Sequence, residues 1–206
     1  MKFLAFTLLA TAAFASPNPA NGQKYIRRSA NRQSKAAKLI SDQVVSSNAA
    51  ADDVQSANWG GAVLTADTAT YTSVTGTFTI SAPSGLFDTD EECAFVWVGI
   101  DGASSSCQGL LQTGVNLCTN EGVISFTGWY EYFPAPMSDF SDITFSAGDS
   151  VTLTATVTSS TSGVLTITNN SKNVTVSQAV TFTSALCQES AEWIVEQCDD
   201  CDVIDS

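Results

Sequence analysis

From residue 56 onward the sequence predicts an all-β fold, an antiparallel β-sandwich, and three observations carry that expectation. Short runs rich in Val, Thr, Ile, Phe and Tyr recur along the chain. In many of them apolar residues alternate with Thr or Ser, the period of two expected of a half-buried antiparallel strand. Clusters of Ser, Gly, Pro and Asp separate the runs, and no sustained helical period appears between them. A segment of about 150 residues is long enough to bury one core, so 56–206 reads as a single domain built of two packed sheets.

Taken in order, the first run is VTGTFTI (74–80), followed by AFVWVGI (94–100). The turn-forming DGASSSCQ then leads into the apolar stretch 109–117, which makes 94–100 and 109–117 the arms of a hairpin. Antiparallel pairing keeps the sum of facing residue numbers constant. Cys93 with Cys118 gives 211, centred in that turn, so a disulfide between them would clamp the open end of the hairpin. GVISFTGWYEYF (122–133), VTLTATVT (151–158), GVLTITN (163–169) and NVTVS (173–177) read as further strands. Two glycosylation sequons, Asn169-Asn170-Ser171 and Asn173-Val174-Thr175, straddle the turn between the last two. An exposed hairpin tip suits such a modification, and chance occurrence in a Ser-, Thr- and Asn-rich chain is the competing reading.

The N-terminal part differs in kind. MKFLAFTLLATAAFA carries Lys2, an apolar run and the small-x-small pattern Ala13-Phe14-Ala15, which reads as a secretory signal over 1–15. The run is too short to span a bilayer, and no later segment is long and apolar enough, so the expected location is extracellular. Residues 16–55 hold six of the eight Lys and Arg, whereas 56–206 holds Lys172 against 18 acidic residues, a formal −17. Such a domain repels nucleic acid and anionic membrane surfaces and is relieved of self-repulsion in acid. A basic leader before an acidic domain reads as a propeptide docked by charge, with a disordered linker as the plainer alternative.

Secretion makes the six cysteines disulfide candidates, with about fifteen possible pairings, rather than metal ligands. The chain has no histidine. That removes Ser-His and Cys-His nucleophile pairs and disfavours zinc, so neither metal nor other cofactor is expected and any hydrolytic chemistry falls to carboxylates. GLLQTG (109–114) has the look of an aspartic-peptidase loop, with Gln112 where the acid would stand. An amide neither takes up nor releases a proton in water, so Gln112 is either a strand-end turn residue or the neutral half of a different pair.

Six motifs decide between these. SANWGG (56–61), WVGIDG (97–102), LLQTG (110–114), WYEYFP (129–134), AGDS (147–150) and AEWIVE (191–196) occur in an order and spacing that resembles the fungal glutamic peptidases, the eqolisins. The resemblance runs from about Ser56 to about Cys201. It implies a lectin- or jelly-roll-like sandwich and a secreted, monomeric acid endopeptidase. Such an enzyme acts on polypeptides, is made with an inhibitory propeptide and is indifferent to pepstatin. It implies that Gln112 and Glu196 form a catalytic dyad, that Trp59, Trp97, Asp101, Trp129 and Glu131 line the cleft, and that Cys107 bonds Cys187. Asn116, Thr127 and Phe133 stand where relatives often carry Asp, Asp and Tyr. Relatives also continue through further strands, so a chain ending at Ser206 is expected to be a C-terminally truncated member, with inactivity as one outcome. The reading from a different class is a secreted carbohydrate-binding sandwich, with Trp129, Tyr130 and Tyr132 as an exposed stacking platform and Glu131 and Glu196 as paired carboxylates. Gln112 argues against it, because a glycosidase needs a second carboxylate where the amide stands.

Overall fold

A computed structural model describes residue 37 and residues 56–83, 92–104, 106–107, 109–120 and 122–197. The signal and propeptide expectations, Ala37 apart, and those for Cys198 and Cys201 lie outside the described residues. Ten strands follow in order: β1 (Trp59–Thr65), β2 (Ser73–Thr79), β3 (Glu92–Ile100), β4 (Leu110–Asn120), β5 (Val123–Phe133), β6 (Ser138–Asp139), β7 (Ser150–Ser159), β8 (Ser162–Asn169), β9 (Val174–Thr181) and β10 (Ser190–Gln197). They form an antiparallel six-stranded sheet, β1-β10-β3-β4-β5-β6, packed on an antiparallel four-stranded sheet, β2-β7-β8-β9. No helix is present among the described residues. The sandwich expectation is met.

The β3–β4 hairpin has the expected register. Trp97 faces Gly114, Gly99 faces Gln112 and Cys93 faces Cys118, every pair summing to 211. Cys93 and Cys118 are disulfide-bonded with their Cα atoms 4.1 Å apart. The Cys107–Cys187 bond is present as well and ties the loop after β3 to the segment before β10.

The two sheets enclose one core, in which Val98, Ile100, Leu111, Val115 and Ala191 meet Val74, Val151, Leu153, Leu165 and Ile167. The far face of the large sheet is also buried. There Trp59, Phe95, Trp97, Leu110, Trp129, Met137 and Ile194 form a second cluster. Burial on both faces explains why β3 and β4 read as nearly continuous apolar runs, while β7 and β8 alternate cleanly. Trp129 and Tyr132 are accordingly buried and Tyr130 only partly exposed, which removes the exposed aromatic platform of the carbohydrate reading.

The tryptophans on the far face pack only because glycine lies between them. A Cβ on Gly114 would sit 2.5 Å from Val96 O, 2.7 Å from Trp97 Cβ and 2.8 Å from Trp129 Cζ2. Gly114→Ala is expected to lower stability by about 1–3 kcal/mol or more, as overpacking does. Gly60→Ala, whose Cβ would lie 3.6 Å from Val195 O, is expected to stay within about 0.5 kcal/mol. Urea unfolding of the two variants measures both.

Candidate active site

Strand alternation puts three rows of side chains on the far face of the large sheet. Glu192, Gly99, Gln112 and Glu131 form one row, taken from β10, β3, β4 and β5. Ile194, Trp97, Gly114 and Trp129 form the next, and Glu196, Phe95, Asn116 and Thr127 the third. Gln112 and Glu196 therefore share one face, with β3 between their strands and four positions of offset along them. Asn116 and Thr127 face each other directly.

The two expected dyad residues are held by different partners. Gln112 is fully buried, and its Nε2 donates to Glu131 Oε2 at 2.7 Å. That bond fixes which end of the amide points where and leaves Gln112 Oε1 without a hydrogen-bond partner. Glu196 faces Trp59 across the sheet and accepts hydrogen bonds from Trp97 Nε1 at 3.2 Å and from Asn58 Nδ2 at 3.1 Å. Trp59 stands edge-on to Trp97, ring centroids 4.8 Å apart at 80°, and so braces the indole that donates to Glu196. Asn58 is in turn placed by Ser56, whose Oγ donates to Asn58 Oδ1 at 3.0 Å. Neither Asn58 nor Ser56 was assigned a role from sequence, although both lie inside the SANWGG motif that signalled the site.

Asp101, expected to line the cleft, organises the chain that leads into β10. It is buried at a positive φ of 70°, and its carboxylate accepts from the backbone N–H groups of Gln188 at 2.8 Å, Glu189 at 2.9 Å and Ser190 at 3.4 Å. These bonds, with the neighbouring Cys107–Cys187 link, fix the start of β10 and hence the register of Glu196. Trp97 and Trp129 lie in the far-face cluster, in the row between those of Gln112 and Glu196. No group of metal-ligating residues occurs among the described residues.

A further feature marks this face. The buried polar atoms that lack a partner include Gln112 Oε1, Asn116 Oδ1, Trp129 Nε1 and both carboxylate oxygens of Glu192, and all of these lie on it. Structural interiors leave very few such atoms unpaired, so their concentration on one face is unusual.

Comparison with known proteins agrees with this geometry. The peptidase A4 family model matches residues 57–204. The chain belongs to the peptidase A4 family. Aspergillopepsin-2 of Aspergillus niger is 38% identical over 95% of this chain and 78% of the relative. Scytalidopepsin B of Scytalidium lignicola is 36% identical over 98% and 75%. The crystal structure of scytalido-glutamic peptidase with a transition state analog inhibitor superposes with a TM-score of 0.59 at 37% identity, over 68% of this chain. The chain spans 64% of the length of that solved A4 structure. The glutamic-peptidase resemblance read from the six motifs is thus correct.

Glu192 is a buried carboxyl in the same row as Gln112 to which sequence reasoning gave no role. It lies four positions before Glu196 in the AEWIVE motif, so strand alternation alone puts both on one face. The side chain is fully buried, and Ser190 Oγ meets hydrogen-bond geometry to neither oxygen. Burial pushes its pKa up to about 9; the Asp101 charge adds to this and the Ser190 hydroxyl opposes it. The folded chain then keeps a proton that the unfolded chain releases above the ordinary value of 4.5. Rising pH between about 4.5 and 9 therefore favours unfolding, by up to about 1.4 kcal/mol per pH unit, and the stability is fully present only below that window. Glu192→Gln is expected to flatten this slope. Melting temperatures of the variant and the parent, followed from pH 3 to pH 8, should run nearly parallel below pH 4, and above it the parent should fall relative to the variant.

Proposed function

We propose that this protein is a secreted acid endopeptidase in which Gln112 and Glu196 act together on a water molecule to hydrolyse peptide bonds. The observation that carries this reading is the face that presents both groups, buried, beside a set of unpaired hydrogen-bonding atoms. A peptide in extended form offers alternating N–H and C=O groups, which match such a surface. Family membership and the relative solved with a transition state analog inhibitor support the same conclusion.

The roles follow from the residue types. Glu196 takes a proton from water and later gives it to the leaving amine. Gln112 Oε1 accepts a hydrogen bond from that water, and the N–H of Nε2 not used by Glu131 donates to the oxyanion as the carbonyl becomes tetrahedral. Glu131 is a positioning residue here, because its bond to Nε2 prevents the amide from flipping. The tryptophans Trp59 and Trp97 hold Glu196 in place, and Trp129 offers its unpaired indole N–H to the substrate. The formal −17 of residues 56–206 favours work in acid, where carboxylates protonate and self-repulsion falls.

Secretion, with a signal over 1–15 and a propeptide over 16–55, belongs to the same proposal. One leader residue supports docking against the site. The Ala37 N–H donates to Gly102 O at 3.3 Å, and its side chain packs on the cluster that contains Trp59, Trp97 and Leu110. The leader's six cations would add attraction that fades as the domain's carboxylates protonate below about pH 4. A synthetic 16–55 peptide titrated against the separated domain should bind at pH 6 and release at pH 3; equal affinity at both would show an inert spacer.

Hydrolysis of an acid-denatured protein by the purified chain tests the activity. Glu196→Gln is expected to abolish turnover, and Gln112→Ala to reduce kcat on the order of a hundredfold or more, as loss of an oxyanion donor does. Glu131→Gln offers the amide both a donor and an acceptor, so it permits the flip and should lower kcat with little change in KM. Pepstatin should leave the rate unchanged. Near-normal kcat in the Gln112 or Glu196 variant would remove the dyad from the account.

A further inference from the structure

The structure separates the two sequons at the β8–β9 turn. Asn169 closes β8 and is fully buried. Its Nδ2 donates to Thr144 O at 3.0 Å and to Asp149 Oδ2 at 2.8 Å, and its Oδ1 accepts from the Lys172 N–H at 3.1 Å. Asp149 is held in turn by the Ser146 N–H at 2.8 Å and by Lys172 Nζ at 3.1 Å. The hydroxyl of the same sequon, Ser171 Oγ, accepts from the Ser150 N–H at 2.9 Å. Asn169 is thus the internal staple of the turn, with both amide ends in use.

Asn173 differs at each point. It is exposed at the last position of the turn, its φ is 54°, and its side chain makes no hydrogen bond to the described residues. Asparagine tolerates that left-handed backbone better than most residues, which gives it a conformational reason to be there apart from any modification. The hydroxyl of its sequon, Thr175 Oγ1, lies on an exposed surface, 3.0 Å from Thr168 Oγ1.

We propose that Asn173, and not Asn169, carries an N-linked glycan. The donor is an oligosaccharide held on a lipid diphosphate in the secretory pathway. The Asn173 Nδ2 attacks the anomeric carbon, the C–N bond forms as the C–O bond to the diphosphate breaks, and the lipid diphosphate leaves with the bonding pair. The amide proton passes to a base of the transferase, and no oxidation or reduction occurs. Transfer acts on the nascent chain, so the fold makes the selection afterwards. A sugar on Asn169 would replace an N–H that bonds Thr144 or Asp149 and would place a bulky polar group where no solvent reaches. A sugar on Asn173 projects from an outward tip.

The position also has a physical use. Among the described residues β9 is an edge of the four-stranded sheet, paired only with β8. Unpaired edge backbone is a template for association with another chain, and a hydrated glycan at the first residues of the edge obstructs such alignment.

The proposal rests on the reading that the chain enters the secretory pathway, and the test separates the two. The full chain is translated in the presence of endoplasmic reticulum microsomes. Protection from added protease and removal of the N-terminal signal report import, and a mass increase reversed by endoglycosidase reports the glycan. One glycan is expected on the folded molecules, those that resist protease after the microsomes are opened with mild detergent. It should be lost in Asn173→Gly, which keeps the backbone conformation, and in Thr175→Val, retained in Thr175→Ser, and unaffected by Ser171→Ala. An imported chain that bears no glycan, or one whose glycan disappears with Ser171→Ala and survives Asn173→Gly, overturns the assignment. A chain that is not imported overturns the secretory reading and the glycan with it.

Discussion

The register of the β3–β4 hairpin is the constraint on which the rest of the molecule depends. It sets Gly114 opposite Trp97 and Gly99 opposite Gln112, so that large side chains lie over small ones across the middle of the large sheet. A slip of one residue would send Gln112 and Trp97 into the inter-sheet core and bring Val98 and Leu111 out of it. The Cys93–Cys118 bond closes the hairpin at its open end, while the Cys107–Cys187 bond ties its loop to the strand that carries Glu196. The covalent links therefore serve the relative placement of Gln112 and Glu196, which come from opposite sides of β3.

Electrostatics impose the second constraint. Among residues 56–206 the only cation in the sequence is Lys172, and it is engaged with Asp149 far from the large sheet's outer face. Among the described residues the carboxylates on and beside that face accept from dipoles: Glu196 from an indole and an amide, Glu131 from the Gln112 amide, Asp101 from three backbone N–H groups. Glu192 is left without such donors and resolves the problem by keeping its proton. The same acidic composition that is relieved of self-repulsion in acid thus disfavours the fold at higher pH, and Glu192 on β10 adds to that sensitivity.

Much of this was legible in the sequence, for identifiable reasons. The strands of the small sheet show a clean period of two because one face meets solvent, and β7, β8 and β9 were located on that basis. The hairpin disulfide followed from arithmetic on residue numbers, and the Cys107–Cys187 pair followed from the family resemblance. β1 was not read as a strand because Gly60 and Gly61 dilute its β-propensity and most of its residues are exposed. The hold of Asp101 on the backbone that leads into β10 is a role that no residue pattern discloses. Glu192 escaped notice because a single glutamate on an alternating strand ordinarily faces water. Only the burial of both sheet faces turns it inward. The buried tryptophans likewise look, in sequence, the same as a sugar-stacking platform.

The central claim is that Gln112, held by Glu131, and Glu196, held by Trp97 and Asn58, address the same scissile carbonyl. A crystal structure at acid pH with a peptide bearing a tetrahedral hydroxyl in place of the scissile carbonyl addresses it most directly. The account predicts that this oxygen lies within hydrogen-bond distance of both the Gln112 amide and the Glu196 carboxylate, with the Gln112–Glu131 bond intact. A bound peptide whose tetrahedral oxygen meets neither group, or that draws Gln112 away from Glu131, would contradict it.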